Sequence, residues 1–351
     1  MEINALQAAT FSAALISATP LFAANGGMDE LSSKGIGVYL DQDFFIPARN
    51  EDRDYTMGIA VEFFWEDKPK VGGSLDKALE WVNGKTGMTL AGADFTIQRS
   101  LMAGSVNYTP DDLENPDPIL DDRPYSSLLY LSSKRVFTYG DKDNVLGTEL
   151  QLGLLGLDVA KALQTKFHGY TRSLSDEDTP VDPKGWGHQI SEGGEPTLKY
   201  RVSYGKALVN RPLFDLAMTA DASLGYQTNA SLGLQVRTGK INSRFWTLPY
   251  DPINRGNFVP SPKASKEWYL WAAYRARGVA YDALLQGQFR HSDVTFDSDD
   301  IRRLVHEAGA GMTFSVQPVQ LTLSLNYKSA DLEGAASRSH VWGGSYLMLR
   351  W

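Results

Sequence analysis

The chain contains no cysteine, which excludes disulfides and thiolate metal sites and suits an oxidising compartment. After residue 24 it has no run of 18 apolar residues, so no transmembrane helix is available and a membrane location requires a barrel. Positive charge is not in excess: 34 Lys and Arg stand against 42 Asp and Glu, a formal net charge of -8. With no Lys/Arg cluster interleaved with aromatics, nucleic acid is not an expected partner. A Gly-x-Ser-x-Gly elbow, a Walker loop and His-Glu-x-x-His are also missing. The usual serine-triad hydrolases, nucleotide enzymes and zinc proteases therefore have no support.

The 351 residues, with 32 Gly and 11% aromatics, suffice for one large β unit or two small domains. The first 24 residues carry an apolar stretch from Phe11 to Phe22 that ends in small residues. This predicts a secretory signal cleaved near Ala23 or Ala24, although Glu2 is its only charge; a short amphipathic helix is the alternative. Residues 25–351 are then expected to form a single domain.

Alternation of apolar with polar or small residues is the main structural signal. Over residues 319–328, Val319, Leu321, Leu323, Leu325 and Tyr327 share one face, while Gln320, Thr322, Ser324, Asn326 and Lys328 share the other. Residues 198–204 and 214–225 repeat the pattern, with Asp215 and Asp221 on the polar face. A soluble sandwich alternates too, so periodicity alone does not say which face is wet. The chain ends on Trp351 in such a segment, with Val341, Leu347 and Leu349 on one face and Tyr346, Met348 and Arg350 on the other. A terminal aromatic there resembles the last strand of outer-membrane barrels.

Twelve such segments are expected, near 34–45, 54–66, 93–105, 124–138, 146–156, 197–209, 213–226, 230–239, 267–283, 302–316, 318–329 and 339–351. The prediction is an all-β, transmembrane antiparallel barrel of about 12 strands with a short helix in an extracellular loop. With both termini periplasmic, the connections near 46–53, 107–122, 157–196, 227–229, 284–301 and 330–338 are extracellular. A barrel of this size leaves no wide pore. Phe63, Phe64, Trp65, Trp268, Trp271, Trp342 and Trp351 are candidates for the interfacial girdles, or reflect strand propensity alone.

Three polar clusters interrupt the alternation, and this topology brings all three to the extracellular end. The first joins Asp41-Gln-Asp-Phe-Phe45 to Asn50-Glu-Asp-Arg-Asp-Tyr-Thr-Met-Gly58; its carboxylate, amide and hydroxyl oxygens suit a hard divalent cation, or form an acidic loop without metal. The second, Asp121-Asp-Arg-Pro-Tyr125, offers Asp122 and Arg123 for substrate contact, with Arg123 able to hold a phosphate or to sit in a structural ion pair. The third, residues 158–168, reads as a helix of about three turns that sets Gln164 and His168 on one face at a spacing of four. An imidazole beside an amide at the rim suits general-base chemistry, with a solvated loop histidine as the plain alternative. His188 competes with His168, whereas His291, His306 and His340 lie in or near strands.

The blocks Asp41-Gln-Asp-Phe-Phe45, Asp52-Arg-Asp-Tyr-Thr-Met-Gly58, Asp122-Arg-Pro-Tyr125 with Leu129-Tyr130, Leu155-Gly156, Gln164 with His168, Gly185-Trp186 with Gln189, and Glu195-Pro196 together resemble the outer-membrane lipid A 3'-O-deacylase family. Order and spacing fit over roughly residues 36 to 205. The resemblance implies a site between the barrel wall and a loop helix, a calcium-dependent hydrolase acting on lipid A of the outer leaflet, and a monomer surrounded by membrane lipid. It implies His168 as the base, Gln164 as its support, Thr56 as a rim hydroxyl, and Asp43 with Gln42 in a Ca²⁺ site. One departure is Gln42, where the family has Asn. A non-catalytic barrel, acting as a narrow channel or binding protein, and an outer-membrane phospholipase remain the alternatives.

Overall fold

Two-residue alternation gives each strand an apolar and a polar side, and closing twelve such strands on one another leaves no unpaired edge. A computed structural model describes residues 34–42, 53–65, 73–88, 96–139, 143–158, 161–162, 164, 183–248 and 266–351; residues 1–24, where a secretory signal is expected, lie outside them. The strands are β1 Gly35–Gln42, β2 Asp54–Trp65, β3 Thr96–Thr109, β4 Ser126–Tyr139, β5 Asn144–Leu155, β6 Glu195–Arg211, β7 Phe214–Gly225, β8 Gln227–Lys240, β9 Lys266–Asp282, β10 Leu304–Val316, β11 Val319–Lys328 and β12 His340–Arg350. Each pairs antiparallel with its neighbours, and β1 pairs with β12 to close the barrel. All twelve expected strands are present; β3 is displaced most, running to Thr109 rather than residue 105.

The polar face turns inward. Its buried charges are paired, as burial requires: Lys134 Nζ with Glu62 Oε1 at 3.0 Å, Arg201 Nη2 with Asp221 Oδ1 at 2.6 Å, and Arg237 with Asp215. Leu321, Leu323, Leu325 and Tyr327 are exposed on the outside, as a lipid-facing band must be. The aromatics divide: Phe63, Trp268 and Trp351 are exposed, whereas Phe64, Trp271 and Trp342 are buried in the core. Burial takes the second group out of the girdles, and Trp65 is half-buried.

Even-numbered turns join strands at the end that also holds both termini of the barrel. Here a segment that strand periodicity passes over forms a helix, α1 Gly73–Thr86. Asp76 in its first turn and Lys85 in its last suit the helix dipole, and Leu75 and Leu79 make a narrow apolar stripe. That stripe packs on Leu150, with Leu101 and Tyr200 alongside. Asp76 accepts from Arg135 Nε at 2.7 Å and Nη2 at 2.8 Å, while Asn83 donates to Thr148 Oγ1 and accepts from Tyr200 Oη, both at 2.9 Å. Arg135 and Thr148 alternate with lumen residues and share the side of exposed Leu131 and Leu152. The helix therefore lies against the outer surface of the wall.

At the same end the turn after β8 folds inward. Phe245 and Trp246 join the main core, and Ile241 and Leu248 pack on Tyr269, Trp271 and Ala273. Gln235 Nε2 donates to the Phe245 carbonyl at 2.7 Å, and Arg237 Nη2 to that of Ser243 at 3.0 Å. These bonds satisfy the turn's carbonyls inside the barrel, and its side chains fill the lumen there. At the opposite end a four-residue helix, α2 Ala283–Gln286, starts the connection after β9, capped by the Asp282 side chain on Leu284 N. It lies in a different extracellular loop from the helix expected over residues 158–168, of which 161–162 and 164 are helical among the described residues.

Candidate active site

Antiparallel register aligns Gly343, Gln42, Met57, Asn107 and Ser127 across β12, β1, β2, β3 and β4. In this row Gln42, Asn107 and Ser127 sit on the outward side of the wall, yet all three are buried, as are Thr56, Ser105 and Thr109. Polar side chains at such positions need a cover and partners. A bulge between Tyr55 and Met57 frees Thr56 from the ladder, and its hydroxyl lies 2.6 Å from that of Thr109. Ser105 Oγ donates to Asn107 Oδ1 at 3.2 Å.

The cover is the long connection after β5, folded back on the start of β4. Gly156 N donates to the Ser127 carbonyl at 2.8 Å, Ile190 N to that of Tyr125 at 2.9 Å, and Lys184 N to that of Leu113 at 2.9 Å. Gly156 has φ +76, and a Cβ there would collide with the Ser191 carbonyl, so the sharp exit from β5 needs glycine. Trp186 packs against Tyr125 with ring centres 4.8 Å apart and the planes tilted by 53°, beside Leu113. Its indole N–H donates to Gln164 Oε1 at 2.9 Å, and Gln164 is helical and buried. Ser127 Oγ lies 2.9 Å from both the Leu157 carbonyl and Gln189 Oε1.

A second cluster occupies the lumen beneath the same rim. Asp41, one residue before Gln42, points to the opposite side of the wall and accepts from Tyr55 Oη at 2.9 Å. The Tyr55 ring meets Trp342 edge-on, His340 stacks on Trp342 with centres 5.3 Å apart, and His340 Nε2 lies 3.2 Å from the Tyr55 carbonyl. Arg123 spreads over the Tyr108 ring at 4.0 Å and pairs with Asp331 at 2.6 Å, which Lys328 also holds at 2.7 Å. Arg338 bridges Asp54 at 2.7 Å and Asp122 at 2.5 Å. Burial pushes the Asp331 carboxyl up, but Lys328 and Arg123 outweigh it and hold it down at about 2. For Arg123 burial acts downward, and Asp331, Tyr108 and Asp54 outweigh it to keep the guanidinium charged.

Comparison with protein families matches residues 9–351 to the family described as outer membrane protein LpxR. The chain belongs to the LpxR family. Among solved structures it is similar to LpxR from Salmonella typhimurium, with TM-score 0.69 and 16% identity over 90% of this chain and 100% of that one. The β domain of the Bordetella autotransporter BrkA matches with TM-score 0.41 and 9% identity over 92% and 99%. The NalP translocator domain of Neisseria meningitidis matches with TM-score 0.41 and 10% identity over 100% of both chains. No curated protein sequence matches. Family membership and the closed barrel make this an outer-membrane protein.

Within this LpxR-family barrel the expected site residues separate. Gln42 and Thr56 are buried on the outward side of the wall, and Gln164 is held by Trp186 in the connection that folds onto Tyr125 and Ser127. Asp43 and His168 lie outside the described residues. Asp122 and Arg123 belong instead to the lumen ion network. Sequence reasoning did not single out Asn107, Thr109 and Ser127, although polar residues at outward positions near a strand top were a usable signal. It also missed Asp331, Arg338 and His340, because only the closure of β12 on β1 carries them to Asp54 and Tyr55.

Proposed function

We propose that this chain is an outer-membrane hydrolase that removes the 3'-linked acyl (acyloxyacyl) group of lipid A. The observation that carries the proposal is the row of buried polar side chains on the outer side of the wall, Gln42, Thr56, Asn107 and Thr109, which leads to Ser127, where the connection bearing Gln164 folds onto β4. A site on the lipid-facing side suits an ester that never leaves the bilayer, and LpxR-family membership supports a lipid A deacylase.

His168 follows Gln164 by four residues, the spacing of neighbours on one helical face, and serves as the base that takes a proton from water. Thr56 and the Gln42 amide are the polar groups of the wall for the charge developing on the ester oxygen. Their oxygens are of the type a hard cation accepts. The family resemblance assigns the carboxylate for Ca²⁺ to Asp43. Bound there, the ion supplies polarisation of the ester carbonyl.

The test is mass spectrometry of lipid A from cells expressing the chain or its His168→Ala variant, repeated on purified protein with and without a chelator. Loss of the 3' acyl mass is expected only for the native chain in the presence of divalent ion. An unchanged mass with the native chain overturns the reading, and release from glycerophospholipid alone turns it into a phospholipase.

A further inference from the structure

We propose that the outer wall of β3 to β6 is a track for the substrate's acyl chain, with α1 as its floor. The inference rests on the deacylase reading and extends it to the length of chain accepted. Below the covered row of Asn107 and Ser127, strand register stacks two rows on the same outer side: Ser105, Leu129, Leu154 and Pro196, then Ala103, Leu131, Leu152 and Leu198. Leu129, Leu131, Leu152, Leu154 and Leu198 are all exposed and apolar. The next row, Leu101, Ser133, Leu150 and Tyr200, is where α1 begins, with Leu75 and Leu79 against it.

From Ser127 to Ser133 is a rise of about 20 Å along the strand. At a barrel tilt of about 40° this is about 15 Å of depth, half of a hydrocarbon core about 30 Å thick. The strip between the polar patch and α1 is therefore one leaflet deep. Its occupant is the saturated chain whose ester lies at Thr56 and Thr109. The floor is fixed, because α1 is held by the Asp76–Arg135 pair and the Asn83 bonds to Thr148 and Tyr200. Trp81 on the opposite face of α1 is exposed, with Lys85 Nζ 6.0 Å from its ring.

Purified protein in vesicles is given lipid A carrying short or long 3' chains. Leu131→Trp should lower the ratio of long-chain to short-chain release about tenfold, the discrimination a filled apolar pocket gives. Leu321→Trp, on the far lipid face, should leave the ratio unchanged. An equal ratio for Leu131→Trp and the native chain overturns the track. A second measurement needs no turnover: lipid A with a photoreactive diazirine at the tip of its 3' chain is cross-linked to the native protein and the adducts are mapped. Adducts confined to α1 and residues near Leu131 and Leu152 support the track, and adducts spread evenly to β10 and β11 overturn it. Absence of release at every chain length, with adducts still confined, refutes the deacylase reading and leaves the track standing.

Discussion

The indole of Trp186 and the amide of Gln164 meet at 2.9 Å, both buried, and this contact joins the helical part of the long extracellular connection to the aromatic pair Trp186 and Tyr125. Trp186→Phe keeps the ring and deletes one hydrogen bond, a loss of about 1 kcal/mol. Hydrogen exchange across residues 156–194 should quicken, and acyl release should fall several-fold, while the barrel keeps its folded electrophoretic mobility. Faster exchange with full acyl release would show that the position of Gln164 does not matter to the reaction.

The Asp331 carboxyl gives the rim a pH dependence whose sign is fixed by its partners. Held at about 2 between Lys328 and Arg123, it contributes stability that is full above the ordinary carboxylate value near 4 and is lost as pH falls towards 2. The shift corresponds to about 2 kcal/mol. Unfolding of the detergent-solubilised barrel followed from neutral pH into acid should show this loss below about pH 4. Asp331→Asn should start less stable and show a flatter acid limb; an unaltered limb would refute the assignment.

The barrel was readable from alternation because a membrane strand is constrained on both faces at once, as Val319 to Lys328 shows. Gln164 falls in a helical stretch, as its spacing of four from His168 predicts, and bonds to Trp186 22 residues on. Alternation has no vocabulary for α1, whose stripe is little more than Leu75 and Leu79 and whose hold on the wall comes from Arg135 and Thr148 in distant strands. Alternation sends Asp41 and Gln42 to opposite sides of the wall, but two adjacent polar residues do not tell which of the sides is the lumen. Arg123 reads as a phosphate contact or as one half of a rim ion pair, and the sequence cannot name the partner because Asp331 lies 208 residues away.

Asp76 neutralises an arginine that would otherwise face lipid. Asp76→Ala leaves Arg135 on the outer wall without its closest carboxylate, and a basic side chain on that face costs about 2–4 kcal/mol near the bilayer centre. Reversible unfolding from vesicles should register a loss of that order, and adding Arg135→Leu should recover most of it, since a wall leucine is at home in lipid. A double variant no more stable than Asp76→Ala would mean that α1 contributes through its leucines alone.

Phe245 and Trp246 decide whether the lumen conducts. With both buried in the main core and their turn tied to Gln235 and Arg237, ions meet an aromatic obstruction at the end holding the termini. The native chain in planar bilayers should show no sustained openings, whereas the Phe245→Gly/Trp246→Gly variant should show measurable conductance, since the ion-paired lumen above is polar enough to hydrate. The two side chains also pack in the core, so the variant is expected to be several kcal/mol less stable, and its folded mobility is checked before recording. Steady conductance through the native chain would restore the channel reading, while a silent native chain and a leaky variant would mean that the lumen is sealed by design of the turn and the chemistry belongs to the outer wall.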